Sequence, residues 1–409
     1  MIDDGAMDAP VNRDERWVRA IYELAGMQRP SASEGERIAA ESIADHLRAL
    51  GCETEVEQGR AHGGYWWPIG LANGVAATAA VVALRGARRR ARLAAAAAAG
   101  IAAAGLWDDL GQGRRWMRRM LPRRPTYNVV AQAGDADADR TIVVVAHHDA
   151  AHSGLVFHPA LGQLGPRLAP EHHERAQQTA PIMFAVWLGP VMIGVGAAAG
   201  VTRLLRAGLA ISLGSIAAMV DIGSRSVVPG ANDNLTAVGA VIAIAQRLRD
   251  QPLTGARVLL VSTGSEESFS EGMSAFLARH GDELDPSRTE LLCLECLGGA
   301  RLIVVEGEGM LRMRDYPAAM CDALADAADR AGIPVERGAK TVAATDALVA
   351  LRAGYPVVTL ASMEDTKLPL NYHWPNDVPE NLRWPTLERA IEVCEQFVRM
   401  RAAANVSGG

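Results

Sequence analysis

Thr141-Ile142-Val143-Val144-Val145-Ala146-His147-His148-Asp149 is the stretch on which the fold turns. A short apolar run rich in β-branched residues is the pattern of a strand buried on both faces of an α/β sheet. This one runs straight into two imidazoles and a carboxylate. The arrangement recurs three times downstream. Val258-Leu259-Leu260-Val261-Ser262 leads toward Glu266-Glu267, Leu291-Leu292-Cys293-Leu294 leads into Glu295, and Pro356-Val357-Val358-Thr359-Leu360 precedes Asn371-Tyr372-His373-Trp374. A fifth polar piece, Ala231-Asn232-Asp233-Asn234, stands at the head of an expected helix. Ligands of open α/β sheets bind beyond the carboxyl ends of the strands. Acids and imidazoles far apart in sequence are therefore expected along one edge of one sheet.

Upstream, residues 12–60 read as helix, helix, strand. Ser31-x-Ser33-Glu34 offers an N-cap, and Ile38, Ile43, Ala44, Leu47 and Leu50 form an apolar stripe closed by Gly51. Residues 52–58 alternate like a strand. Downstream, helices expected at 234–250, 270–280, 316–332 and 385–403 alternate with strands at 257–262, 290–295, 301–305 and 356–361. That rhythm predicts a layered α/β/α domain. Its parts are 1–60, 125–160 and 225–409, with 61–124 and 161–224 inserted.

Each insert reads as a hydrophobic helical hairpin with a basic turn. Positions 65–84 are 20 residues without a charge, followed by Arg85, Arg88, Arg89, Arg90 and Arg92, then 15 uncharged residues at 93–107. Positions 180–202 are 23 uncharged residues, then Arg203 and Arg206, then 14 more at 207–220. A membrane span needs about 20 predominantly apolar residues. The first segment of each hairpin meets that and the second is short. Trp66, Trp67, Trp107 and Trp187 are candidate interface anchors. Membrane association is the expectation; Ala-rich hairpins packed on a soluble domain are the alternative.

The 409 residues suffice for two average domains or one large one with insertions. A net charge of −6 gives no reason to expect nucleic acid. The 5 cysteines are odd in number and scattered, so a reducing compartment is expected rather than a disulfide framework. The first 30 residues carry no apolar h-region, so no secretory signal peptide is expected. Both hairpin turns are basic, but so is 114–124, and the positive-inside rule does not decide. Two hairpins cross an even number of times, which keeps the ends and the α/β segments on one side, expected to be the cytoplasm.

Zinc takes imidazole and carboxylate ligands, and a two-metal site needs an acid that can bridge. Adjacent glutamates after a strand, as in Glu266-Glu267, can send one carboxylate to a metal and leave the other as a base. The ordered set of His-x-Asp, Asn-Asp-Asn, Glu-Glu, acid and late His resembles the M28 family of zinc metallopeptidases. That family includes bacterial aminopeptidases and the glutamate carboxypeptidase II relatives. The resemblance covers about 12–60, 125–158 and 225–403 and leaves the hairpins out. It implies a mixed, mainly parallel sheet flanked by helices, with two zinc ions at one edge. His147 and Glu295 would hold one zinc, Glu267 and His373 the other, and Asp233 would bridge them. Asp149 would orient the His147 imidazole. Glu266 would be the general base, and Tyr372 would steady the tetrahedral oxyanion. Thr345-Asp346 resembles a degraded Ser-Asp-His segment. Many relatives carry aspartate where Glu295 stands, which leaves aminopeptidase, carboxypeptidase and dipeptidase activity open.

Singly, these pieces have bland readings. Asn232-Asp233-Asn234 alone is a turn or cap, and Glu-Glu pairs are common on solvated faces. His152, His158, His172 and His173 read as a polar loop, and Cys293 and Cys296 as core. Jointly they predict a membrane-associated zinc exopeptidase acting on short peptides. A one-zinc acyl transferase like the glutaminyl cyclases and a non-catalytic membrane scaffold are the alternatives. The inserts should flank the mouth of the site.

Overall fold

A computed structural model describes residues 12–86 and 88–404. The outermost stretches of the expected α/β domain, 1–11 and 405–409, and residue 87 of the first insert lie outside the described residues. Among the described residues, the apolar runs are the centre of a mixed nine-stranded sheet. Its strands are β1 (Glu53–Ala61), β2 (Arg124–Gly134), β3 (Thr141–His147), β4 (Arg257–Thr263), β5 (Thr289–Glu295), β6 (Arg301–Glu308), β7 (Arg314–Asp315), β8 (Glu336–Thr341) and β9 (Val357–Met363). They lie in the order β1-β2-β4-β3-β5-β9-β6-β7, with β8 also paired to β6. The centre, β4-β3-β5-β9, is parallel; β2 and β6 join it antiparallel, and β1 pairs antiparallel with β2.

All residues of β3 are buried. Successive side chains of a strand point to opposite faces, so the sheet is covered on both, as its unbroken apolar run requires. Helix Thr236–Asp250 packs against Arg16–Ala25 and Trp384–Ala403, and Glu271–His280 packs against Asp346–Arg352. Ser33 caps helix Glu34–Arg48 by accepting from the Glu36 amide. Register sets the site. His147 is the last residue of β3 opposite Thr263, and Glu295 is the last of β5 opposite Ala361.

The inserts form helices Trp66–Arg85, Arg89–Leu110, Phe184–Ala199 and Thr202–Ser224. The two hairpins do not stand apart: they pack on one another into a single four-helix unit. Small residues permit this. A Cβ on Gly223 of the second hairpin would come within 2.5 Å of the Trp66 ring of the first, and one on Gly194 would lie 3.7 Å from the Ala96 carbonyl oxygen. Buried Asn73 donates to the Ile69 and Val186 carbonyls and ties the first hairpin to the second. The bundle core runs on into Phe269, Met310 and Leu348 of the α/β unit.

The helix lengths correct one expectation. Among the described residues, Trp66–Arg85, Arg89–Leu110 and Thr202–Ser224 are the helices long and apolar enough to cross a membrane, while Phe184–Ala199 is shorter. Gly200 adopts φ 71° and stops the third helix within its uncharged stretch. The arginines after the turns are helical, and they lengthen the second and fourth helices beyond their uncharged stretches.

Candidate metal centre

Four strand ends and one helix start deliver the polar residues to one place. The Asn-Asp-Asn turn precedes helix Thr236–Asp250, and each of its side chains is committed. Asn232 Oδ1 accepts from the Gly298 amide at 2.8 Å. Asn234 Nδ2 donates to the Leu294 carbonyl at 2.9 Å and to Glu295 Oε2 at 3.0 Å. Asp233 between them turns its two oxygens to different imidazoles. Oδ1 lies 3.3 Å from His147 Nε2, and Oδ2 lies 3.2 Å from His373 Nε2. Glu295 Oε2 stands 3.7 Å from His147 Nε2, and Glu267 Oε1 stands 3.2 Å from His373 Nε2. Glu266 Oε2 is 4.0 Å from His147 Nε2.

Asp149 is fully buried and serves more than the imidazole. Its Oδ1 lies 3.4 Å from His147 Nδ1, whose other neighbour is the Asp149 carbonyl at 3.2 Å. The same carboxylate accepts from the Glu266 amide at 3.0 Å, the Glu267 amide at 3.1 Å and Ser31 Oγ at 2.6 Å. It therefore orients His147 and both glutamates together. Tyr372 stacks on His373 with ring centroids 3.9 Å apart and lines the same cavity. Asp346, at the start of helix Asp346–Arg352, accepts a hydrogen bond from the Thr263 hydroxyl at the end of β4. The open role of Thr345-Asp346 becomes a support beneath the strand that leads to Glu266. His152 and His158 bond to nearby backbone, and His173 faces the Asp365 carbonyl, so they do not join the cluster. Cys293 and Cys296 are buried beside Glu295.

Several supporting groups carry no motif. Asp377 accepts from the amides of Asn232 at 2.7 Å and Asp233 at 3.1 Å and so sets the turn that carries the Asp233 carboxylate. Buried Glu36 accepts from Ser265 Oγ, Thr126 Oγ1 and the Ala32 and Tyr127 amides. It holds the turn ahead of Glu266, where Ser265 has φ 51°. Positive φ recurs at Phe269, Ser270, Cys296, Asn371 and His373, all within four residues of a site side chain. Non-glycine residues adopt that conformation at a cost, and such residues cluster at functional sites.

The loop after Glu267 is gripped by both ends of the first hairpin. The Gly64 amide donates to Ser268 Oγ at 2.9 Å, and Ser268 Oγ donates to Glu271 at 2.6 Å. His62 Nδ1 stands 2.5 Å from Glu271. From the hairpin's far end, Gln112 reaches Ser270 Oγ, Arg115 donates to the Phe269 carbonyl, and Arg118 donates to the Ser268 carbonyl at 3.1 Å. Arg118 is fully buried and held by Asp109 through two bonds of 2.8 Å.

The charge balance describes what this pocket can hold. Burial pushes Glu266 and Glu295 well above the usual carboxylate range, and neighbouring acids add to it. Burial alone would lower His373, but Glu267 and Asp233 drive it up to about 10. Acids outnumber cations among these buried groups, a condition that a divalent ion relieves. The spacing fits as well. Ligands about 2.0–2.2 Å from one ion in tetrahedral array stand roughly 3.3–3.6 Å apart. The triplets His147–Asp233–Glu295 and Asp233–Glu267–His373 each bring one ligand atom per residue within 4.8 Å of one another. They share Asp233.

The cavity over the cluster measures about 170 Å³. Phe157, Ile182, Met183 and Met310 make its wall mostly apolar, and no lysine or arginine stands among its described lining residues. Tyr65, Ile182 and Met183 come from the feet of the hairpins, so the inserts do flank the site.

Residues 218–398 match the model described as Peptidase family M28. No curated protein sequence matches the chain. Among solved structures, an aminopeptidase from Aneurinibacillus sp. strain AM-1 is 13% identical with a TM-score of 0.54, over 94% of this chain and 92% of that one. A Zn-dependent exopeptidase from Parabacteroides distasonis is also 13% identical with a TM-score of 0.54, over 98% of this chain and 100% of its own. The glutaminyl cyclase of Porphyromonas gingivalis is 13% identical with a TM-score of 0.53, over 96% and 100%. At that identity the likeness is one of fold. It bears out the zinc exopeptidase-like α/β architecture.

Proposed function

We propose that this protein, whose residues 218–398 match the model of peptidase family M28, is a zinc-dependent exopeptidase of aminopeptidase or dipeptidase type, anchored to a membrane by its helical bundle. The observation that carries the reading is the division of Asp233, one oxygen toward His147 and Glu295 and the other toward His373 and Glu267. In this reading His147 and Glu295 would hold one zinc, Glu267 and His373 would hold the second, and Asp233 would be a ligand common to both. When bound, the ions supply polarisation of the scissile carbonyl and acidify the attacking water.

The chain's own groups do the rest. Glu266 accepts a proton from the water as its oxygen adds to the carbonyl carbon, and returns that proton to the nitrogen as the C–N bond breaks. Asp149 holds the His147 tautomer and the Glu266 and Glu267 amides, which fixes base and ligand relative to each other. Tyr372 donates toward the developing oxyanion. The described lining of the cavity has no lysine or arginine to receive a free C-terminal carboxylate, which favours recognition from the amino end. An apolar wall suits short peptides with apolar residues.

Metal analysis of the purified full chain tests this. Two zinc ions per chain and release of amino acids from short peptides are expected. One zinc per chain, with cyclisation of N-terminal glutamine and no peptide cleavage, would move the protein to the glutaminyl cyclase type. His147 beside Glu295 favours the two-metal outcome, since that pair provides a second position.

A further inference from the structure

Tyr65 is the foot of the first hairpin, immediately before helix Trp66–Arg85. By sequence it belongs to an uncharged apolar segment beside two tryptophans and carries no motif. In the fold it leaves the bundle and enters the site. Its ring is 6% exposed and stacks on Phe269 with centroids 5.1 Å apart and planes 5° from parallel. Phe269 is two residues beyond Glu267, and the Arg118 guanidinium lies over its ring, 5.0 Å from the centroid. The Gly64 amide, bonded to Ser268, fixes the backbone just before Tyr65. The phenol is therefore held from both directions by the loop that carries Glu266 and Glu267.

The phenolic oxygen is buried and has no hydrogen-bond partner. A buried polar group left unpaired costs free energy, and such groups call for an explanation. Tyr65 lines the same cavity as His147, Glu266, Glu267 and Tyr372. A neutral phenol is a donor, and within hydrogen-bond reach Tyr65 finds no acceptor in the free protein. What the cavity lacks is an oxygen for it to bond, and a bound substrate brings one.

We propose that Tyr65 is a second catalytic phenol, supplied by the inserted hairpin, which donates a hydrogen bond to the substrate's carbonyl oxygen as that oxygen gains charge. Tyr372 and Tyr65 then serve the same oxygen from two elements, one from the loop after β9 and one from the bundle. The role rests on the peptidase reading above.

The test is Tyr65→Phe in the zinc-loaded full chain, which removes one oxygen and keeps the stack on Phe269. The oxygen has no partner in the free protein, so Tm and zinc content should match the parent or Tm should rise. Removing one oxyanion donor typically costs about 10²–10³ in kcat, and that loss is expected with KM within about threefold. Affinity for a phosphinate analogue of the tetrahedral state should fall in parallel. Unchanged kcat, or a loss accompanied by lower Tm and lost zinc, would overturn the proposal. So would a change confined to KM. Glu266→Gln runs alongside. If it is inactive while Tyr65→Phe is normal, only the Tyr65 role fails; if Glu266→Gln stays active, the peptidase reading fails and takes the Tyr65 role with it.

Discussion

At the scale of single residues, the site is a set of shared carboxylates. Asp233 is useful because it is divided, and its division depends on a residue with no signature. Asp377 accepts both amides of the Asn232–Asp233 turn and stands four residues past His373. Asp377→Ala should loosen the turn and weaken zinc binding by about 10–100-fold, the range for groups that orient ligands. Competition with a chelator of known affinity measures it, and unchanged affinity would remove Asp377 from the site. The residues that reach the cluster were legible because they end apolar runs: His147 and Glu295 close β3 and β5, and Glu266 follows β4. Asp377, Glu36 and Tyr65 were not. A carboxylate that accepts backbone amides needs no particular neighbour in sequence, and a tyrosine ahead of an apolar helix has the pattern of an interface anchor.

At the scale of elements, the loop Ser268–Glu271 is where the α/β domain and the first hairpin meet. Burial alone would raise the Glu271 pKa, but the hydrogen bond from His62 and the charge of Arg118 hold it at about 2, below its ordinary 4.5. A carboxylate depressed in the folded state contributes stability that is complete above its unfolded pKa and is lost as pH falls through its folded one. Stability should therefore fall between about pH 4.5 and pH 2, and Glu271→Gln should flatten that part of the profile. Urea unfolding across this range measures both; identical acid limbs would mean that Glu271 does not carry the effect. Strands with unbroken apolar runs were readable from pattern alone. β7 and β8 were not, since Glu336–Thr341 has no apolar alternation and is placed by pairing with β6. Helix Phe184–Ala199 was overestimated because a charge count does not register the left-handed stop at Gly200.

At the scale of the whole molecule, a sheet of soluble type carries a bundle whose outer face is apolar. Leu71, Ile101, Val195, Leu213 and Val220 are each more than half exposed, at 53%, 59%, 53%, 52% and 63%. Exposed apolar surface around long apolar helices is what the proposed membrane anchoring would cover. The full chain should stay in the membrane pellet after alkaline carbonate extraction, and recovery in the supernatant would contradict anchoring by the bundle. The helical character of the inserts followed from their composition, but their union into one bundle rests on long-range packing of Gly223 on Trp66 and on the Asn73 bond to Val186, which no local pattern announces. Everything converges on Glu266, poised between the two triplets that share Asp233. The decisive measurement is amino-acid release from short peptides by the zinc-loaded full chain and by its Glu266→Gln variant. Release by the parent, with kcat lower by about 10²–10⁴ in the variant at equal zinc content, is the predicted result; a zinc-loaded parent that releases nothing, or a variant as active as the parent, would contradict the account.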